Sequence, residues 1–172
     1  FMTSISGQVP PQADAGGRSD IMTALGWQSF FANQIEVDGA DTANPVRIVG
    51  AHRGTLHVMG DEIDLIIPSR PGVVVGDWLL LDTAEPGASR LMERRSLLKR
   101  RAPGLERRIQ MIAANIDTAF IVSSCNQDFS IPRLERYIAL VIEAGVTPVI
   151  LLTKIDLCDN AGTYIEAAKE IE

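Results

Sequence analysis

The residues with the clearest chemical content are Thr153, Lys154 and Asp156, in the run Val149-Ile150-Leu151-Leu152-Thr153-Lys154-Ile155-Asp156-Leu157. The four leading apolar residues predict a short, fully buried strand, and the polar Thr-Lys-x-Asp follows where that strand runs out. In open α/β sheets ligands bind just outside the carboxyl ends of the strands, so these side chains stand where a ligand would be. The chemistry suits a guanine base. The Asp156 carboxylate can accept two hydrogen bonds, from the ring N1–H and the exocyclic amine, whereas adenine offers no such donor pair. The Lys154 stem can lie along the flat base with its ammonium near solvent. Thr153 takes the place more often held by Asn in this pattern, and its hydroxyl can tie neighbouring loops together. A helix-capping Asp and a solvated Lys at a strand end would give the same four residues, so their weight depends on the elements around them.

Those elements read as a βαβ unit. Residues 119–124 predict a buried strand. Ser130 can cap a helix with Pro132 in its first turn, and Leu134, Tyr137, Ile138, Val141 and Ile142 form its apolar stripe up to Gly145. A second strand follows at 148–152, parallel and with a right-handed crossover. A further helix starts after Asn160, with Tyr164, Ile165 and Ala168 on one face. Residues 109–115 read as a short mixed segment. Two parallel strands and two helices cannot cover both faces of a parallel sheet, so this α/β part is expected to be incomplete as it stands.

The first half of the chain has another period. Strands are predicted at 45–50, 55–59, 62–67, 78–81 and 89–99, separated by Arg53-Gly54, Gly60-Asp61, a Pro/Gly loop through Pro68, Pro71 and Gly72, and Gly76-Asp77. Five short strands with Gly-rich turns predict a small closed barrel, of which the oligonucleotide-binding (OB) fold is the commonest. Trp78 is the only Phe, Tyr or Trp between residues 45 and 101 and is expected in the core. Nucleic-acid contact would then come from basic side chains rather than base stacking. Ahead of the barrel, Ile21, Met22, Leu25, Trp27, Phe30 and Phe31 predict short helical turns broken at Gly26, with Ser19 or Asp20 as cap and the aromatics packed onto the barrel. Residues 1–18, rich in Gly, Pro, Gln, Ser and Ala, predict a disordered leader. The Pro103-Gly104 pair is the best boundary, giving segments 1–18, 19–103 and 104–172.

Composition narrows the class. No apolar run approaches the ~18 residues of a membrane span, and the start lacks the charged and apolar regions of a secretory signal. Two cysteines, Cys125 and Cys158, are too few for a disulfide framework, and with His52 and His57 they lack metal-ligand spacing. A soluble, cytoplasmic protein without a metal site in this chain is expected. The net charge of −6 conceals an asymmetry: residues 90–108 hold eight Arg or Lys against two Glu, a local +6 that leaves −12 for the rest. Arg53, Arg90, Arg94, Arg95, Lys99, Arg100 and Arg101 are the candidate contacts to a phosphate backbone. A solvated strand edge, charged against aggregation, accounts for them equally well.

Several stretches, in this order, resemble the circularly permuted, small-ribosomal-subunit-dependent GTPases of the RsgA or YjeQ type. They are Leu25-Gly26-Trp27 with Phe30-Phe31, His52-Arg53-Gly54, Gly76-Asp77-Trp78, Arg94-Arg95-Ser96-Leu97-Leu98-Lys99-Arg100, Ala113-Ala114-Asn115-Ile116-Asp117, Arg133-Leu134-Glu135-Arg136-Tyr137, and 149–157. Permutation accounts for a guanine motif that follows only one βαβ unit and precedes any phosphate loop. The resemblance implies an OB barrel followed by part of a permuted P-loop-type GTPase domain, with Thr153, Lys154, Asp156 and the spacer Ile155 at the nucleotide. It further implies a monomeric factor in late maturation of the small (30S) subunit, its barrel on 16S rRNA. GTP or GDP with Mg²⁺ and a C-terminal Zn²⁺ domain complete the family's set. This sequence has no Gly-x-x-x-x-Gly-Lys-Ser/Thr and no Gly-Lys pair. The phosphate cradle, the Mg²⁺-binding hydroxyl and the switch residues are therefore missing, and the chain is expected to hold no catalytic residue and not to hydrolyse GTP alone. The alternative is a non-catalytic RNA-binding OB module with the α/β part as scaffold.

Overall fold

The computed structural model describes residues 20–38, 44–101 and 109–171. The leader, the Ser19 cap, the Pro103-Gly104 boundary, Arg107 and Arg108 lie outside the described residues. In chain order the elements are α1 (Asp20–Ala24), α2 (Ser29–Asp38), β1 (Asn44–His52), β2 (Thr55–Gly60), β3 (Ile63–Pro68), β4 (Trp78–Leu81) and β5 (Arg90–Leu91). They continue with β6 (Leu97–Arg101), β7 (Ile109–Ala114), β8 (Thr118–Ser124), α3 (Ile131–Glu143), β9 (Thr147–Thr153) and α4 (Ala161–Lys169). No helix among the described residues is long and apolar enough to cross a membrane.

Alternation, strict along β2 and interrupted in β1 by a register shift between Ile48 and Gly50, builds an antiparallel sheet of order β3-β2-β1-β4-β5. Val46, Ile48, Leu56, Val58, Ile67, Leu79 and Leu81 all bury on one side and pack on one another. Every member of that cluster comes from the sheet itself, so the sheet curls over its own apolar face. Gly54, at φ +84°, makes the tight β1–β2 turn that a side chain would strain. The expected closed barrel is not formed: β5 is two residues long, and no ladder joins it to β3. Instead the Arg70 guanidinium, just past β3, donates to the carbonyls of Ser89 and Gly87 beside β5.

The stretch 89–99 is not one strand. Its buried residues, Ser89, Met92 and Ser96, recur every three or four positions rather than every second one, and the chain leaves the sheet after Leu91. Residues 97–101 pair instead with 109–114, Leu97 opposite Ala114 and Arg101 opposite Ile109, with a bulge at Leu98/Lys99. The segment read as mixed is therefore strand β7. Both its faces are partly open, which blurs the alternation that marks a strand.

On the far face of β4 the helical lead-in docks. Met22, Phe31, Trp78 and Met92 are buried together, and Trp27 meets Trp78 edge-on at 4.7 Å between ring centroids. Helices of five and ten residues are too short to persist alone; this aromatic contact holds them, as expected.

The α/β part is a parallel β8–β9 pair with α3 as crossover. Ser130 sits at the N-cap without a side-chain bond, and Gly145 (φ +72°) ends the helix. Ile121, Leu134, Val141 and Val146 bury between α3 and one face of the pair. The other face is open, with Phe120 at 64 %, Val122 at 62 % and Leu151 at 41 % exposure. The strands predicted to be fully buried are thus covered on one side only, because the single crossover helix lies on that side.

One joint ties the curled sheet to the rest. Asp77, fully buried, accepts from Arg94 Nε and Nη2, both at 2.7 Å, and from the Val74 N–H at 2.9 Å. The paired carboxylate raises the Arg94 guanidinium above its ordinary pKa, chiefly through the hydrogen bond. Next to it Gly76 has φ +91°, and a Cβ there would stand 1.9 Å from the Ala114 carbonyl oxygen. Asn115, also left-handed at φ +53°, donates Nδ2–H to Gly76 O at 3.0 Å and accepts from Arg95 N–H at 2.8 Å. Arg47 donates to Leu25 O and to Asn115 O, binding the lead-in to the same turn, and burial lowers its pKa. From Asn115 the contacts pass through Ser96, whose hydroxyl bonds both the carbonyl and the N–H of Ile116, to Asp117, which accepts from the Thr147 N–H that opens β9.

Candidate base-recognition site

Strand β9 ends at Thr153, opposite Ser124 of β8. Two bonds fasten this exit: the Thr153 hydroxyl donates to Ser123 O at 3.3 Å, and the Cys125 N–H donates to Thr153 O at 2.9 Å. The hydroxyl thus ties neighbouring segments in the manner expected of it. The backbone then turns sharply. Lys154 adopts the left-handed conformation, φ +59° and ψ +30°, which costs a non-Gly residue about 1–2 kcal/mol. A 3₁₀ turn over Ile155–Leu157 follows, closed by Leu157 N–H to Lys154 O at 3.1 Å. Strain of this kind is held in place by its surroundings and is frequent at ligand sites.

The turn presents Thr153, Lys154, Ile155 and Asp156 together, all exposed, beyond the carboxyl end of a parallel strand. The Asp156 carboxylate makes no hydrogen bond or ion pair among the described residues. The Lys154 stem lies one residue from the exit and the Ile155 side chain is half exposed, so an aromatic base can be met by a flat aliphatic side and a carboxylate edge. The adjoining β8 loop is built rigidly. Ser124 Oγ donates to Asn126 Oδ1 at 3.0 Å, which also accepts Asp128 N–H at 2.9 Å. Phe129 meets Tyr164 of α4 edge-on at 5.1 Å, and α4 starts at Asn160, whose side chain accepts from Gly162 N–H.

The candidate RNA contacts are dispersed. Arg53 stands on the β1–β2 turn, exposed. Arg90, in β5, reaches Gln34 O at 3.4 Å. Arg94 is engaged with Asp77 and with Gly72 O, and Arg95 pairs with Asp117. Lys99, Arg100 and Arg101 are consecutive and exposed on the β6–β7 ribbon, alternating between its faces, with Arg100 Nε donating to Gln110 Oε1 at 3.2 Å. His57 pairs with Asp64 across β2 and β3, and His52 is exposed. Among the described residues no cluster of three or more His, Cys, Asp or Glu could hold a metal ion.

Two features of the site escaped the sequence. The Asp77–Arg94 pair joins residues 17 positions apart; its one signal is an Asp wedged between Gly76 and a strand of large apolar residues. Cys125 lies against the exit of β9, a contact between strand ends that no local spacing encodes.

Comparison with known proteins agrees with the motif order. The family model described as RsgA GTPase matches residues 91–172. Over 159 residues the chain is 42 % identical to the small ribosomal subunit biogenesis GTPase RsgA of Mesorhizobium japonicum, covering 90 % of this chain and 45 % of that protein. It is 43 % identical over 145 residues to RsgA 2 of Vibrio parahaemolyticus, covering 83 % and 40 %. The chain thus spans about half the length of the curated relatives it matches. The fold resembles the crystal structure of YjeQ from Thermotoga maritima, with a TM-score of 0.51, 18 % identity, and coverage of 75 % of this chain and 47 % of that one.

Proposed function

We propose, for a chain whose residues 91–172 belong to the RsgA GTPase family, that it recognises the base of a guanine nucleotide and contacts RNA of the small ribosomal subunit. The observation that carries this reading is the placement of Thr153-Lys154-Ile155-Asp156. A buried-sided parallel strand delivers them, a left-handed Lys154 turns them outward, and a carboxylate without a partner among the described residues stands where a base would lie. The relatives are named for small-subunit biogenesis, and the corresponding role here is cytoplasmic assembly of that subunit. GTP hydrolysis belongs to a protein of the relatives' length: this sequence holds no Gly-Lys pair to cradle phosphates and Mg²⁺, and the chain alone supplies the base corner.

The RNA-facing part is the curled sheet with the β6–β7 ribbon. The order β3-β2-β1-β4-β5 and the self-packed apolar face support an OB-type barrel that lacks only the β3–β5 ladder. Within the basic strip, Lys99, Arg100 and Arg101 are the exposed charges of strand β6, carried on both faces of the ribbon. Reversing these three to Glu is expected to weaken binding to purified small ribosomal subunits by roughly tenfold or more, and to flatten the salt dependence by up to about three contacts. Guanosine recognition by the same variant stays as it was. Unchanged subunit affinity and salt slope would place the RNA contact elsewhere, and subunit binding indifferent to guanine nucleotide in a relative-length protein would favour a plain RNA-binding module.

A further inference from the structure

Strand β3 stands at the end of its sheet, and its outer edge joins no other ladder among the described residues. The two-residue turn Asp61-Glu62 sets Gly60 opposite Ile63 as a bonded pair, and bonded pairs alternate along an antiparallel ladder. Ile63, Leu65 and Ile67 therefore turn their backbone groups toward β2, while the N–H and C=O of Asp64 and Ile66 face the free edge. Leu65 lies opposite buried Val58, on the core side, yet is 46 % exposed, because no strand flanks β3. Ile66, on the outer side, is 61 % exposed. The 3₁₀ turn Pro86–Ala88 lies beside β3, fastened by Arg70 Nη1 to Gly87 O at 3.4 Å, and Asp64, Leu65 and Ile66 stay exposed all the same. The charges at this stretch are acidic: Asp61, Glu62 and Asp64 are all exposed, with Asp64 Oδ1 on His57 Nε2 at 2.6 Å.

We propose that the free edge of β3 takes an extended, basic segment of a partner protein as an added strand. An unpaired edge is a template for such pairing, with main-chain bonds giving affinity and alternate side chains giving selectivity. The segment bonds the N–H and C=O of Asp64 and Ile66. Its core-side residues are apolar and cover Leu65; its outer residues are Lys or Arg and meet Asp64 and Glu62, with their stems along Ile66. The same carboxylates repel a phosphate backbone, so RNA does not suit this edge. A second copy of β3 fits no better. Antiparallel registers centred on Asp64 or Leu65 bring the two Asp64 carboxylates directly or diagonally opposite on one face. A register centred on Ile66 sets Asp64 against Pro68, which has no N–H to donate. A separate basic segment meets neither obstacle. The proposal depends on neither the guanine nor the RNA reading.

The probe is a synthetic peptide of alternating Lys and Val, capped at both ends, titrated into the isotopically labelled chain. Saturable amide shifts are expected at residues 63–67, with exchange at the Asp64 and Ile66 amides slowed by about tenfold at saturation. The same peptide with alternate amides N-methylated keeps its charge, loses its strand-pairing donors, and is expected not to bind. Ile66→Pro removes an edge-facing donor without touching the β2 ladder and should weaken binding roughly tenfold. Asp64→Lys, which leaves every backbone group in place, should weaken it by reversing the charge the peptide meets. Equal binding of the N-methylated peptide would reduce the interaction to charge attraction and overturn the proposal. So would shifts confined to other parts of the chain, or no shift at all, which would leave the edge charges as guards against aggregation. Dimerisation of the chain alone, with slow exchange at Asp64 and Ile66 before any peptide is added, would assign the edge to a second copy instead.

Discussion

Replacing Asp156 by Asn is expected to weaken guanine binding roughly a hundredfold and to move the preference to xanthine. The carboxylate accepts two hydrogen bonds from one edge of guanine, each to a charged group and worth about 1.5–3 kcal/mol. An Asn amide keeps one acceptor and turns its NH₂ toward a guanine donor, so one bond is lost and the other loses its charge assistance. A loss of about 2.7 kcal/mol is a hundredfold in affinity. Xanthine carries an oxygen where guanine carries its amine, and that oxygen accepts from the new NH₂. The fold should not respond, because Asp156 is exposed and bonds no described residue. Competition among guanosine, xanthosine and adenosine for the parent and variant chains measures the change; equal affinities and an unaltered base order would remove Asp156 from the site.

The largest effect on stability is expected at Asp77. Asp77→Ala should lower unfolding free energy by about 3–5 kcal/mol, because it leaves the Arg94 guanidinium mostly buried without its counter-charge. Arg94 has 19 % of its side chain exposed and Asp77 none, so water cannot take the place of Arg94 at the buried carboxylate. Arg94→Met should cost a similar amount by stranding the carboxylate, and the double variant should recover part of the sum, the signature of a coupled pair. Urea unfolding followed through Trp27 and Trp78, which pack edge-on in the adjoining cluster, reads all three. Additive losses in the double variant would show that the pair does not hold the joint. A corollary concerns RNA: a binding defect on changing Arg94 would report a loosened joint, whereas one on changing Lys99 or Arg101 would report contact.

Local chemistry announced much of this structure. Val46, Ile48, Leu56 and Val58 alternate because each strand has one face in a core and one in water, and the turn at Gly54 needs the left-handed region. The α3 stripe through Leu134, Tyr137, Ile138 and Val141 and its Gly145 stop were equally legible, although Ile142, assigned to the same stripe, is 60 % exposed; so was the delivery of Thr153 to Asp156 beyond a strand end. Three things were not. β6 and β7 pair in a ribbon that buries little on either face, so their sequences carry no clean period. Openness of one side of β8–β9 depends on which side α3 takes, which the apolar run 149–152 does not encode. The basic strip looked uniform in one dimension, but Arg94 and Arg95 find Asp77 and Asp117 across 17 and 22 positions. Long-range ion pairs are chosen by topology, and a run of like charges hides which members are already neutralised.

The most direct measurement is a titration of the isotopically labelled chain with guanosine and, separately, adenosine, followed at each backbone amide. Recognition of guanine by the β9 exit predicts saturable shifts at residues 153–158 and at Cys125 with guanosine, and none there with adenosine. Equal responses to both nucleosides, or guanosine shifts confined to other parts of the chain, would contradict it.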